Sequence, residues 1–167
     1  MELAERKNRL RHKLAKARAE LMTILQQVQP ADATQSTENP LWTVRDLVSH
    51  LAVAEVGLQS TVKRFLAGAE LPPDFDLNTW NERMVQRAQS RTLEDLLAGL
   101  QASRAQTLAL LDSLTAEELD VRGVHPAGIP ATVEEIFKIM AYHERLHAAE
   151  IARAVGLPAP QVRPWPG

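Results

Sequence analysis

The chain has no cysteine among its 167 residues. That excludes disulfides, thiolate zinc sites, iron–sulfur clusters and a nucleophilic cysteine, so any metal must be held by His, Asp or Glu. Aromatic residues make up only 4%, which leaves the core to aliphatic side chains. An excess of charge is also missing: nineteen Lys and Arg against twenty-one Asp and Glu leave a net −2, so charge gives no reason to expect nucleic-acid binding. No apolar run approaches the length of a membrane span, and the N-terminus lacks the apolar core of a signal peptide. The expectation is a cytoplasmic protein with no membrane partner. What is present, 45% hydrophobic and 24% charged residues, fits one soluble globular domain.

Charge is uneven along the chain. Arg6, Lys7, Arg9, Arg11, Lys13, Lys16 and Arg18 face only Glu2 and Glu5 over the first eighteen residues. Because Leu3, Leu10, Leu14, Ala17, Leu21, Ile24 and Val28 form an apolar stripe through the same segment, the basic residues read as the solvated face of an amphipathic helix.

All ten prolines lie at positions 30, 40, 72, 73, 126, 130, 158, 160, 164 and 166, leaving long proline-free runs that read as helices. The first run covers Glu2 to Gln29, followed by a polar linker from Ala31 to Pro40. Thr43 with Asp46 caps a second helix ending near Ala67, before Gly68. A short helix capped by Asn78 follows. Thr92 with Asp95 opens a third long helix whose buried side is marked by leucines 93, 96, 97, 100, 108, 111 and 114. One further turn is expected after Thr115. Thr132 with Glu135 opens the fourth long helix, ending near Val155 with Gly156 and Pro158 as stop signals. No strand is expected. Four long amphipathic helices imply an all-α four-helix bundle over residues 1–157, with a proline-rich tail at 158–167. Helix two is roughly 35 Å long at ~1.5 Å per residue, and the stretch from Gly68 to Arg91 is long enough to return along it. The expected order is therefore up-down-down-up, with the short extra helix on the return.

Helix four carries Val133, Ile136, Phe137, Met140, Ile151, Ala154 and Val155 along one line, and His143, Glu144 and His147 fall in the same sector. Helix two repeats the anomaly, with Glu55 inside its stripe and His50 at its flank. Ionisable groups on a core face are costly unless paired. His143 and His147 are one turn apart, with Cβ atoms ~6 Å apart, so both imidazoles can reach one ion. Two readings stay open: a shared metal, or a hydrogen-bonded core network. The string from His143 to His147 also matches H-E-x-x-H, but no third histidine in the H-x-x-G-x-x-H form, no acid after Glu150 and no edge strand accompany it, which argues against a zinc protease. Glu144 and His147 form one E-x-x-H. A di-iron bundle needs two, so a mononuclear site is the expectation.

Three segments carry a family resemblance. Leu41-Trp42-Thr43-Val44-Arg45-Asp46-Leu47-Val48-Ser49-His50-Leu51 leads into helix two, Tyr142-His143-Glu144-Arg145-Leu146-His147 lies on helix four, and Phe75-Asp76-Leu77-Asn78-Thr79-Trp80-Asn81 lies between. Together they resemble the DinB-like superfamily of metal-binding four-helix bundles, with its YfiT-type and maleylpyruvate-isomerase-like branches. The resemblance implies His50, His143 and His147 as ligands of a divalent ion, with zinc, nickel or iron as candidates. The isomerase-like branch often has Glu where this chain has His143, and the extra C-terminal domain of the isomerase has no counterpart, so maleylpyruvate is not the expected substrate. The resemblance further implies a small-molecule substrate, a low-molecular-weight thiol cosubstrate and S-transferase or isomerase-like chemistry. A hydrolase and a non-enzymatic metal-binding stress-response homodimer are the alternatives. Glu144 is the candidate catalytic base, with a buried ion pair as its competing role. Asp46 reads as a helix cap. Trp80 and Asn81 read as local packing rather than pocket wall, and His125 as a surface residue.

Overall fold

Threonines begin most of the helices. In the computed structural model, which describes residues 2–165, the side chains of Thr43, Thr92, Thr115 and Thr132 each accept the backbone N–H three residues on, and the acid there accepts the threonine's own N–H. Each reciprocal cap contributes on the order of 1 kcal/mol. The helices are α1 (Leu3–Leu25), α2 (Val44–Leu66), α3 (Leu77–Arg87), α4 (Leu93–Ser113), α5 (Ala116–Asp120) and α6 (Val133–Ala154). A 3-10 turn at Pro30–Thr34 lies between α1 and α2. None of the helices among the described residues is long and apolar enough to cross a membrane.

α1, α2, α4 and α6 form the four-helix bundle, and ion pairs and hydrogen bonds give its directions. Arg6 pairs with Glu134 and Arg145 with Glu20, so α1 and α6 run parallel. Arg45 reaches the Gln89 carbonyl just before α4 while Gln59 reaches Thr107, so α2 and α4 also run parallel. Leu58, Val62 and Phe65 pack with the start of α6 while His50 meets its middle, so these two helices are antiparallel. The order is up-down-down-up, and α3 lies on the crossover. Two apolar clusters fill the bundle. One is built around Leu10, Leu14, Leu58 and Phe137, the other around Leu21, Leu47, Leu96 and Ile151. Each fully buried leucine contributes about 1.5–3 kcal/mol.

Four local expectations are corrected. α1 ends at Leu25 rather than Gln29, because the residue before Pro30 is driven out of the helical region and Gln29 is extended. The short helix is capped by Asp76, whose carboxylate accepts the Thr79 N–H at 2.7 Å, not by Asn78. Leu93 is 43% exposed because it is the first residue of α4 and lies beyond the facing helices. Finally, strands are present: β1 (Arg122–Val124) and β2 (Pro130–Thr132) form an antiparallel hairpin with Gly123 opposite Ala131. The hairpin presses on α2. A Cβ on Gly123 would stand 2.4 Å from the Phe65 ring, so only glycine permits this approach. The tail runs without helix or strand from Leu157, with Trp165 5.4 Å from Tyr142 between ring centroids. Pro166 and Gly167, the end of the expected tail, lie outside the described residues.

Candidate metal centre

His50 projects from α2 and His143 and His147 from α6, and the antiparallel contact of these helices brings the three rings together. Their Nε2 atoms converge: His143 Nε2 lies 3.0 Å from that of His50 and 3.1 Å from that of His147. One ligand atom from each lies within 4.8 Å of the other two. Burial pushes the His50 pKa down to about 3, with His147 adding to the shift. Burial also holds His143 well below the ordinary histidine value, reinforced by His147 and His50. Both rings are therefore neutral at neutral pH, as metal ligands must be.

Neighbouring groups fix the rings. His147 Nδ1 lies 2.9 Å from a Glu150 carboxylate oxygen. A carboxylate only accepts, so Nδ1 carries the proton and the Nε2 lone pair faces the cluster. The bond from His147 holds the Glu150 carboxyl below its usual range, and Thr37 and Asn39 lie beside it. Those two residues come from the polar linker. A bridge between Ser36 and Thr43 folds the linker back, and it also carries Trp42 to 4.9 Å from the His50 ring.

The three nitrogens do not satisfy one another. His143 Nε2 faces two partners with a single position for a proton or a lone pair, and His50 Nδ1 is buried with no hydrogen-bond partner. Three neutral imidazoles aimed at one point suit a divalent cation, around which tetrahedral nitrogens ~2.1 Å from the centre stand about 3.4 Å apart. The donor set fits such an ion.

Glu144 and Glu55 lie elsewhere. Each takes both arginines of a buried square: Arg18 lies 2.8 Å from Glu55, Arg104 lies 2.7 Å from Glu55, and both arginines also contact Glu144. One residue comes from each bundle helix, and the charges cancel. Thr107 and Ser103 add hydrogen bonds to Glu55 at 2.7 and 3.2 Å. The square separates the two apolar clusters. Both oxygens of Glu144 are thus engaged by guanidiniums, the ion-pair role weighed for it above. Asp46 accepts from Thr43 as a cap and from the Gln89 amide.

His50 and His143 also line a cleft of about 420 Å³ between α2, α3, α6 and the hairpin tip. Trp80 and Asn81 line it, and Trp80 lies so close to Gly57 that a Cβ there would meet the ring at 3.0 Å. His125 lines it too. All three residues line the cleft, where Trp80 also has the packing role expected from sequence, while the wall positions of Asn81 and His125 depart from the packing and surface roles expected of them. Sequence reasoning misses the roles of Glu150, Thr37, Arg18 and Arg104. The one available signal is at Glu150, three residues after His147 and so on the same helix face.

Comparisons with known proteins agree with this fold. The family model of the DinB superfamily matches residues 13–151. YfiT from Bacillus subtilis, described as a probable metal-dependent hydrolase with an unusual four-helix bundle topology, superposes with a TM-score of 0.72 at 24% identity, covering 91% of this chain and 89% of that one. The mycothiol-dependent maleylpyruvate isomerase superposes with a TM-score of 0.70 at 15% identity, covering 90% of this chain. The chain spans only 61% of that isomerase's length. No curated protein matches the sequence.

Proposed function

Because the chain belongs to the DinB superfamily and aims three imidazole nitrogens at one point, we propose that it is a metal-dependent enzyme with His50, His143 and His147 as ligands. The observation that carries this reading is the convergence of the three nitrogens, with His50 and His143 lining a cleft that has room for a small reactant. A divalent ion such as zinc, nickel or iron supplies Lewis acidity there, lowering the pKa of a thiol or water placed against it.

The chain's residues bind and orient. Glu150 fixes the tautomer and direction of His147, Trp42 backs His50, and the cleft walls beside the rings are apolar. Glu144, with both oxygens on arginines, serves as a positioning residue that sets the rotation of α6 rather than as a base. The preferred reaction is transfer or isomerisation using a low-molecular-weight thiol, a reading supported by the fold shared with the mycothiol-dependent isomerase. Hydrolysis is the second reading, favoured by the likeness to YfiT.

Elemental analysis of the purified chain beside His143→Ala tests the centre: close to one divalent ion per chain is expected in the wild type and a loss in the variant. Assays of electrophile consumption with and without added thiol then separate the reactions. Turnover that needs thiol supports transfer, and metal-dependent ester cleavage without thiol supports hydrolysis. A metal-loaded homodimer inert in both assays would defeat the enzymatic reading.

A further inference from the structure

The cleft has a second pole. Ala54, Leu58, Leu71, Phe75 and Ile139 give it apolar walls. The hydroxyls of Ser60 and Thr61 are occupied, donating to the carbonyls of Val56 and Gly57 at 3.1 and 3.2 Å. At the end away from the imidazoles stands Arg64. Its guanidinium donates to the Val124 carbonyl at 2.6 Å and to the Ala69 carbonyl at 3.3 Å, and lies 5.1 Å from the Phe65 ring centroid. No carboxylate among the described residues pairs with it, and burial lowers its pKa. The two carbonyls orient the cation without neutralising it.

His125 stands beside this arginine on the hairpin tip. Its Nδ1 accepts the Ala127 N–H at 3.0 Å, so in the neutral ring Nε2 carries the proton and is a donor. Arg64 follows His50 by fourteen residues on the same helix, about 21 Å along its axis. The cleft therefore runs along α2, apolar along its walls, with the Arg64 cation and His125 towards one end and the imidazoles of His50 and His143 towards the other.

We propose that the cleft takes an elongated, mainly apolar small molecule bearing one terminal carboxylate, which Arg64 grips with His125 as a second donor, while the opposite end is directed at His50 and His143. A single fixed guanidinium with one neutral donor matches a planar monoanion. Which end of the molecule reacts rests on the metal centre proposed above; the grip on the carboxylate does not.

Calorimetric titration of the zinc-loaded full chain with phenylhexanoate and with phenylhexanamide, whose terminal group is neutral and offers one acceptor oxygen in place of two, tests the proposal. The carboxylate is expected to bind about tenfold or more tightly than the amide, the size of a charge-assisted hydrogen-bond contribution. The preference should persist after the metal is stripped with a chelator, collapse in Arg64→Gln, and survive in part in Arg64→Lys. Equal affinities in the wild type, or no binding of either probe, would overturn the proposal. So would a preference that survives Arg64→Gln or vanishes with the metal, because the carboxylate would then sit on the ion. Loss to the same degree in the Lys and Gln variants would also count against it, by tracing the effect to a displaced hairpin. The stripped arm reads the grip independently, so the role of Arg64 is tested even in a chain that holds no metal.

Discussion

Glu150 is the residue on which the orientation of His147 depends, because its carboxylate decides which ring nitrogen carries the proton. Glu150→Gln removes that control while keeping the shape, and zinc affinity measured by chelator competition is expected to fall about 10–100-fold with helicity unchanged. The buried square behaves differently. Arg104→Met leaves two buried carboxylates with a single guanidinium, Arg18, and is expected to cost about 3–5 kcal/mol in urea unfolding, whereas replacing all four charged residues with apolar ones of similar volume is expected to cost little or to stabilise. At this scale the sequence discloses half of what matters. His50, His143, His147, Glu55 and Glu144 stand out because a charged or titratable group on an apolar stripe is anomalous. Arg18 does not, since it sits in a basic run that reads as solvated, and its inward turn depends on carboxylates from two other helices. Glu150 looks like another polar residue of α6 because its partner is on the same helix and the linker residues beside it are distant in sequence.

Among the elements, the hairpin has the most leverage for its size, since it carries His125 to the cleft and the carbonyl that holds Arg64. Gly123→Ala forces either Phe65 or the strand to move, and is expected to destabilise the fold by about 1–3 kcal/mol in urea titrations. The helices are legible because their threonine caps and 3.6-residue periodicity act locally. The strands are not: three residues each give too little alternation to read, and the close approach of Gly123 to α2 that accompanies their pairing is a tertiary contact. The cleft-facing roles of Trp80 and Asn81 are hidden for the same reason, because the packing of α3 across α2 is a tertiary fact.

For the molecule as a whole, the long return through α3 makes the up-down-down-up order readable as an allowed topology, and the pairing of α1 with α6 realises it. Deleting residues 158–167 is expected to leave a cooperatively folding helical bundle with a modest loss in Tm, reflecting contacts such as Trp165 on Tyr142. Acid acts on the metal-free fold through the buried rings. His50 has its pKa lowered from 6.5 to about 3, so below 6.5 the unfolded chain takes up the proton first. Stability should be full above that pH and decline as pH falls towards 3, a trend that thermal unfolding in chelator will read out. The spacing of the ligands has one more consequence: His50 and His143 are 93 residues apart. A cation shared between them fastens the early part of the chain to its final helix much as a covalent staple would, and a thousandfold excess over its Kd would shift unfolding by about 4 kcal/mol. Starved of that ion, the protein would lose the proposed centre and loosen the two helices that enclose it in a single event.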